Sequence, residues 1–280
     1  MIAMARMTPT SSGRATGRAL ARLGLALRPR ERAQAEANLV LAFPDSDQAW
    51  RRDLIRRAAD RLGDTLHDSL TVDRWLERHR SLIIGDDALT ELRRCRNEGR
   101  GVLVLTGHLG CWELLGGWLA RMMDGLTVVV GEIHNEPVDR LVNDRRRRLG
   151  MAPVPRDGDL RPLLRALRDG GVAAVLMDQA TKVPSRDVPF FGHPAPTATG
   201  FASLALRTGA PILPMAIERL GRGHRVVTGT MIDPRGYDGV DPTFDLLLAC
   251  NKALEDLVRR NPAEWVWFHR RWPDERPEPK

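Results

Sequence analysis

Five short apolar runs, Val102–Thr106, Leu126–Val130, Val172–Met177, Ile212–Ile217 and Arg225–Thr228, alternate with amphipathic stretches near 111–123, 136–149, 159–169, 200–208 and 242–260. Runs of this length rich in Val, Leu and Ile read as strands, and the intervening segments space their apolar residues as helices do. Strands that alternate with helices imply an α/β fold, with a mostly parallel central sheet flanked by helices. Within that series Asp157-Gly-Asp-Leu-Arg-Pro162 supplies a capped helix start, and Asp169-Gly-Gly171 the following stop. The stretch from Asp178 to Thr199 is rich in Pro and Gly and lacks periodicity. It predicts a long loop, a length that in compact domains points to function.

Ahead of the first strand the chain reads as helical. Arg14, Arg18 and Arg22 recur every four residues, and Leu20, Leu23 and Leu27 form a second stripe at helical spacing. This pattern fits a basic amphipathic helix lying on an anionic membrane, and equally a solvated helix packing its leucines on the domain. Asn38-Leu-Val-Leu-Ala-Phe-Pro44 ends in a proline stop, and Asp45-Ser-Asp47 offers an N-cap for a helix with Trp50, Leu54, Ala58 and Leu62 on one face. A further helix from Asp86 or Asp87 carries Leu89, Leu92 and Cys95. The expected organisation is a disordered terminus over 1–13, a helical cap with the basic segment over 14–98, and an α/β core over 99–280.

The formal charge of the 280 residues is +7, owed to arginine far more than lysine. Such an excess predicts an anionic partner: an acidic membrane surface, a phosphorylated substrate or nucleic acid. The nucleic-acid reading rests on charge alone, because stacking platforms and base-reading motifs are missing. Cys95, Cys111 and Cys250 lie far apart without a C-x-x-C pair, which argues against a disulfide framework or structural zinc and makes a reducing cytoplasm the default. No stretch reaches the eighteen or so apolar residues of a membrane span.

The segment Gly101-Val-Leu-Val-Leu-Thr-Gly-His-Leu-Gly-Cys-Trp-Glu113 runs a strand into a Gly-rich turn holding His108, with Glu113 on the helix that follows. Carboxyl ends of strands are where α/β proteins bind ligands, and unpaired N–H groups around Gly107 and Gly110 would suit an oxyanion. The competing reading is a buried His108 bonded to backbone, with Glu113 a surface charge. A G-x-S-x-G elbow is missing, Cys111 has no base of its own, and one His and one Glu five apart lack metal-ligand spacing. Direct transfer fits what is left, with His108 taking a proton from a hydroxyl and Glu113 orienting the ring.

His108-Leu-Gly-Cys-Trp-Glu113 resembles the H-x₄-D/E motif of glycerolipid-type acyltransferases, in particular the late lipid A acyltransferases and their phosphatidylinositol mannoside relatives. The resemblance extends over most of the chain, through Asn38–Pro44, Arg146 with Gly150, Met177-Asp-Gln179, Val188-Pro-Phe-Phe-Gly192, Pro196-Thr-Ala-Thr-Gly200, Leu204–Pro211 and Trp267-Phe-His-Arg-Arg271. It implies a glycerolipid acyltransferase-like fold. The implied reaction is O-acyl transfer from a thioester, acyl carrier protein or CoA, to a hydroxyl of a lipid A precursor or related glycolipid. A phospholipid or other glycolipid acceptor, or a non-catalytic anionic-lipid-binding protein, are the rival readings. No cofactor beyond the thioester co-substrate is implied.

By the same resemblance His108 would be the general base, Glu113 its partner and Asp178 a second carboxylate of the relay. Arg146 would face a phosphate or the oxyanion, although Arg145–Arg148 is also a charge run of the kind that coats solvated helices. Gly110, Gln179, Phe190, Phe191, Arg270 and Arg271 complete the expected substrate contacts. Phe190-Phe-Gly-His193 could line an acyl channel or close the core, and Trp265–Arg271 is expected to form an aromatic, basic strand at a membrane interface or inside the core. Relatives begin with an apolar anchor, whereas this chain offers the arginine-striped segment, so peripheral attachment at the cytoplasmic face of a bacterial inner membrane, or a truncated start, is expected. Acyl chain length, acceptor identity and oligomeric state are not legible in the sequence.

Overall fold

A computed structural model describes residues 8–131, 133–180 and 183–273. The chain opens with helices α1 (Thr10–Leu27), α2 (Pro29–Ala42), α3 (Gln48–Leu70) and α4 (Val72–Arg78). Helix formation from Thr10 corrects the disorder expected over 1–13 as far as residues 10–13 are concerned; residues 1–7 lie outside the described residues. The reason is tertiary. A Cβ on Gly13 would fall 2.0 Å from the His67 ring, and one on Gly17 would fall 2.2 Å from the Gly63 carbonyl oxygen, so glycine lets α1 and α3 touch.

The arginine stripe faces that contact. Arg14 grips Asp68 through two bonds of 2.8 and 2.9 Å, Arg18 grips Asp64 at 2.7 and 3.0 Å, and Arg22 grips Asp60 at 2.6 and 2.7 Å. Acids on α3 descend as bases on α1 ascend, as antiparallel helices require. Leu20, Leu23 and Leu27 point outward, 63, 56 and 72% exposed. The expected amphipathic helix is thus inverted: its cations pair with the acids of α3, from buried Arg14 to exposed Arg22, and its leucines face out.

The central sheet has seven strands in the order β1-β9-β8-β2-β5-β3-β4. They are β1 (Ile83–Ile84), β2 (Val102–Thr106), β3 (Leu126–Val130), β4 (Met151–Pro155), β5 (Val172–Leu176), β8 (Ile212–Leu220) and β9 (Gly223–Thr228). Every neighbouring pair is parallel except β8 with β9. Helices α5 (Asp86–Asn97) and α6 (Trp112–Met122) cover one face, packing Leu92, Leu114 and Leu119 on Val102, Val104 and Leu126. The other face buries Leu103 and Leu105 under α8 (Arg161–Arg168), α9 (Gly200–Thr208) and α10 (Pro242–Arg260), together with Leu39 and Leu54 of the amino-terminal helices. Helix α7 (Glu136–Arg148) joins β3 to β4.

Three segments differ from the sequence reading. The expected loop from Asp178 to Thr199 contains a hairpin, β6 (Ser185–Phe190) and β7 (His193–Ala198). Its two-residue turn, Phe191-Gly192, has positive φ at both positions (53° and 79°), which matches the twist of paired strands. Met151–Pro155 carries two prolines that hide its strand character, and it forms the sheet edge, where missing N–H groups are tolerated. Residues from Trp265 onward form turns rather than a strand, because Trp265, Trp267 and Trp272 each fold inward and are 0–1% exposed.

Candidate active site

Strand register assembles the site. β2 and β5 pair in parallel with Thr106 opposite Leu176, so two residues further along each chain His108 and Asp178 emerge side by side at the carboxyl end of the sheet. The turn between Gly107 and Cys111 is fixed from several sides. A Cβ on Gly107 would lie 2.8 Å from Asp178 Cγ, and Gly110, at φ 62°, lies against the Ile217 carbonyl. The Gly110 N–H donates to the Glu264 carbonyl (2.9 Å), the Leu109 N–H to Gly107 (2.7 Å), and the Val266 N–H to His108 (3.1 Å).

Asp178 Oδ1 lies 2.9 Å from His108 Nδ1, and its Oδ2 accepts from the His108 backbone N–H (2.7 Å) and the Trp265 indole N–H (2.8 Å). His269 Nε2 lies 3.1 Å from the Asp178 carbonyl oxygen. Asp178 is 1% exposed. Burial pushes its carboxyl up, but the adjoining His108, with contributions from His269 and Trp265, outweighs this and holds it well below the usual carboxylate range. An ionised carboxylate only accepts, so His108 Nδ1 carries a proton, and Nε2 is the nitrogen that Asp178 leaves unengaged. The edge of Trp112 packs on the imidazole, ring centroids 4.9 Å apart.

Glu113 has a different partner. Arg146 Nε donates to Glu113 Oε2 at 3.2 Å and Nη2 to Oε1, while Nη1 donates to Asn143 (3.2 Å). The expected pairing of Glu113 with His108 is thereby corrected: α6 and α7 direct the carboxylate to the guanidinium. Arg146 is committed to that carboxylate. The expected free N–H groups are also corrected, since those of His108, Leu109 and Gly110 are all engaged within the fold. Cys111 is buried, and its thiol is pushed up to about 12 by burial first and the Asp68 charge second, which removes it as a nucleophile at neutral pH.

The site opens onto a cavity of about 1050 Å³ that wraps the carboxyl edge of the sheet. Val104, Leu119 and Leu126 line it on one face of the sheet, and Val129, Leu163 and Phe201 on the other. His108, Glu113, Arg146 and Gln179 share its wall. So does Thr106, whose buried hydroxyl has no hydrogen-bond partner. A largely apolar cavity with a few convergent polar groups is the common form of a small-molecule site. Among the described residues no group of three or more His, Cys, Asp or Glu could hold a metal ion, and no helix is long and apolar enough to cross a membrane.

Five expected contacts lie elsewhere. Phe190 and Phe191 are buried beside Trp265 and Trp272 in an aromatic cluster, not on the cavity. Arg271 is 0% exposed, donates to the Pro196 carbonyl and Thr197 and stacks over Phe190, so it ties the hairpin to the core. Arg270 is exposed and caps the Pro273 carbonyl. Gly110 shapes the turn rather than lining the cavity. Trp265 and His269 hold Asp178, a role the sequence concealed inside the Trp265–Arg271 aromatic run. Asn38 bonds the carbonyls of Trp267 and His269, both at 2.8 Å, and so fastens α2 behind them.

Fold and site together define an α/β protein with a carboxylate-backed histidine on the wall of a largely apolar cavity. The chain belongs to the bacterial lipid A biosynthesis acyltransferase family, whose model matches residues 1–274. It is 29% identical over 207 residues to a phosphatidylinositol mannoside acyltransferase of Mycobacterium tuberculosis, covering 71% of this chain and 62% of that protein. It is 26% identical over 260 residues to a lipid A biosynthesis lauroyltransferase of Escherichia coli (91% and 83%) and 27% over 261 residues to a palmitoleoyltransferase of the same organism (90% and 82%). The match thus spans less than two thirds of the length of the mycobacterial relatives.

Proposed function

We propose that this protein moves a fatty acyl group from a thioester, acyl carrier protein or CoA, to a hydroxyl of a lipid A precursor or related glycolipid, with His108 as general base. The observation that carries the reading is the Asp178–His108 pair with His108 on the wall of the apolar cavity. Nε2 takes the proton of the acceptor hydroxyl as its oxygen attacks the thioester carbon, and Asp178 stabilises the imidazolium that forms. Collapse of the tetrahedral intermediate breaks the C–S bond, and the departing thiolate receives the proton from His108. The Gln179 amide and the Thr106 hydroxyl lack protein partners among the described residues and meet the developing oxyanion in this reading. Glu113, held by Arg146 on the same wall, shapes the cavity beside His108 in this reading.

The thioester supplies the activation, so the reaction as written calls for no other cofactor. The outward stripe of Leu20, Leu23 and Leu27 supports peripheral attachment to the cytoplasmic face of a bacterial inner membrane, leucines toward lipid. The test is thiol release from a lauroyl thioester by the purified protein. Release that depends on a glycolipid acceptor, with a mass gain of one acyl chain on it, is expected; no acceptor dependence with any glycolipid would overturn the proposal.

A further inference from the structure

Two arginines line the described cavity, Arg146 and Arg156. Both oxygens of Glu113 and the Asn143 side-chain oxygen Oδ1 occupy Arg146, which leaves it little capacity for a ligand anion. Arg156 is exposed and has no hydrogen-bond or ion-pair partner among the described residues. It follows β4 at the carboxyl end of the parallel strands, and its own N–H is tied to the Val130 carbonyl at 2.9 Å. Its guanidinium lies over Gly131: a Cβ there would stand 3.5 Å from Cζ and from both terminal nitrogens. Equal distances to those three atoms mean that the plane of the fork faces the space that a side chain on Gly131 would fill. The head group thus stands beside a residue without a side chain, and its donors have no partner among the described residues, with Asp157 next to it on the cavity wall.

We infer that Arg156 reads a phosphate group carried by one of the two substrates. A planar fork of donors matches phosphate oxygens bidentately, where an ammonium offers only a point charge. The inference rests on the acyl-transfer reading for its substrates: a CoA or carrier-protein donor brings phosphate on its pantetheine arm, and a phosphoglycolipid brings it on the acceptor. Charged hydrogen bonds of this kind make an expected loss of about 10- to 100-fold in affinity when the fork is removed.

Calorimetric titration of the purified wild type, Arg156→Gln and Arg156→Lys tests this with four probes: coenzyme A, pantetheine, a bis-phosphorylated acylated glucosamine disaccharide, and the same disaccharide without phosphates. The unfolding midpoints are expected to coincide, since Arg156 has no partner to lose among the described residues. Arg156→Gln is expected to weaken one phosphorylated probe 10- to 100-fold, Arg156→Lys to weaken it less, and the phosphate-free counterpart to be unaffected. A loss on coenzyme A alone assigns the donor phosphate, and a loss on the disaccharide alone the acceptor phosphate. Equal binding of every probe by wild type and Arg156→Gln, or wild-type binding that ignores phosphate, overturns the inference. Phosphate-dependent binding without turnover would contradict acyl transfer yet leave Arg156 in place, and unchanged affinity alongside normal turnover would do the reverse.

Discussion

At His108 the partner nearest in sequence and the partner supplied by strand register are different residues. Glu113 sits five positions on, but Asp178 lies beside the ring because β2 and β5 pair in parallel with Thr106 opposite Leu176. His108 and Glu113 were legible as types on a strand-turn-helix, and Asp178 came from the family resemblance. Their pairing was not, because it depends on which strands are neighbours. The same holds for Arg146, which read as one of four arginines on a charged helix yet is the one that closes on Glu113. A double-mutant cycle with Glu113→Gln and Arg146→Gln is expected to give a coupling of about 1 kcal/mol or more in thermal unfolding, because each single change leaves a half-buried charge alone. Additive losses would mean that the pair does not form in solution.

At the scale of elements, helix and strand positions from Val102 onward followed from apolar periodicity, whereas the hairpin and the edge strand were hidden by proline. The arginine stripe shows why periodicity alone cannot orient a helix: it records two faces without saying which is covered. Aspartates at 60, 64 and 68 decide the matter from another helix. Asp68, 0% exposed, also receives Arg219 at 2.9 Å and lies 3.3 Å from His224 Nε2. Burial raises its carboxyl, but His224, Arg14 and Arg219 together hold it well below the usual carboxylate range. A lowered folded-state pKa gives stability that is full above the unfolded value of about 3.9 and is lost as pH falls below it. Asp68→Asn is therefore expected to cost about 3–5 kcal/mol at pH 7. It should also flatten the fall of stability below about pH 4, as read from urea unfolding between pH 2.5 and 7. A variant with the wild-type acid slope would contradict the buried ladder.

Over the whole molecule, the cavity wraps the carboxyl edge of the sheet and takes its apolar lining from the helical layers on both faces. The sequence did not reveal its depth, since the lining comes from residues scattered from Val104 to Leu204. Gly116 illustrates the point: on α6 it looks like any small helical residue, but a Cβ there would meet Met151 Sδ at 2.8 Å, and both residues line the cavity. Gly116→Leu is expected to shift donor preference toward shorter acyl chains, each methylene shut out costing about 0.8 kcal/mol of binding. An unchanged chain-length profile in competition assays would place the acyl chain on the other face of the sheet. The central claim is that His108, set by Asp178, removes the acceptor proton during acyl transfer. Its most direct measurement is glycolipid-dependent acyl transfer by purified His108→Ala and Asp178→Asn proteins that retain the wild-type fold by circular dichroism. Both are predicted to lose about 10²- to 10⁴-fold in kcat. Full transfer by folded His108→Ala would contradict the account.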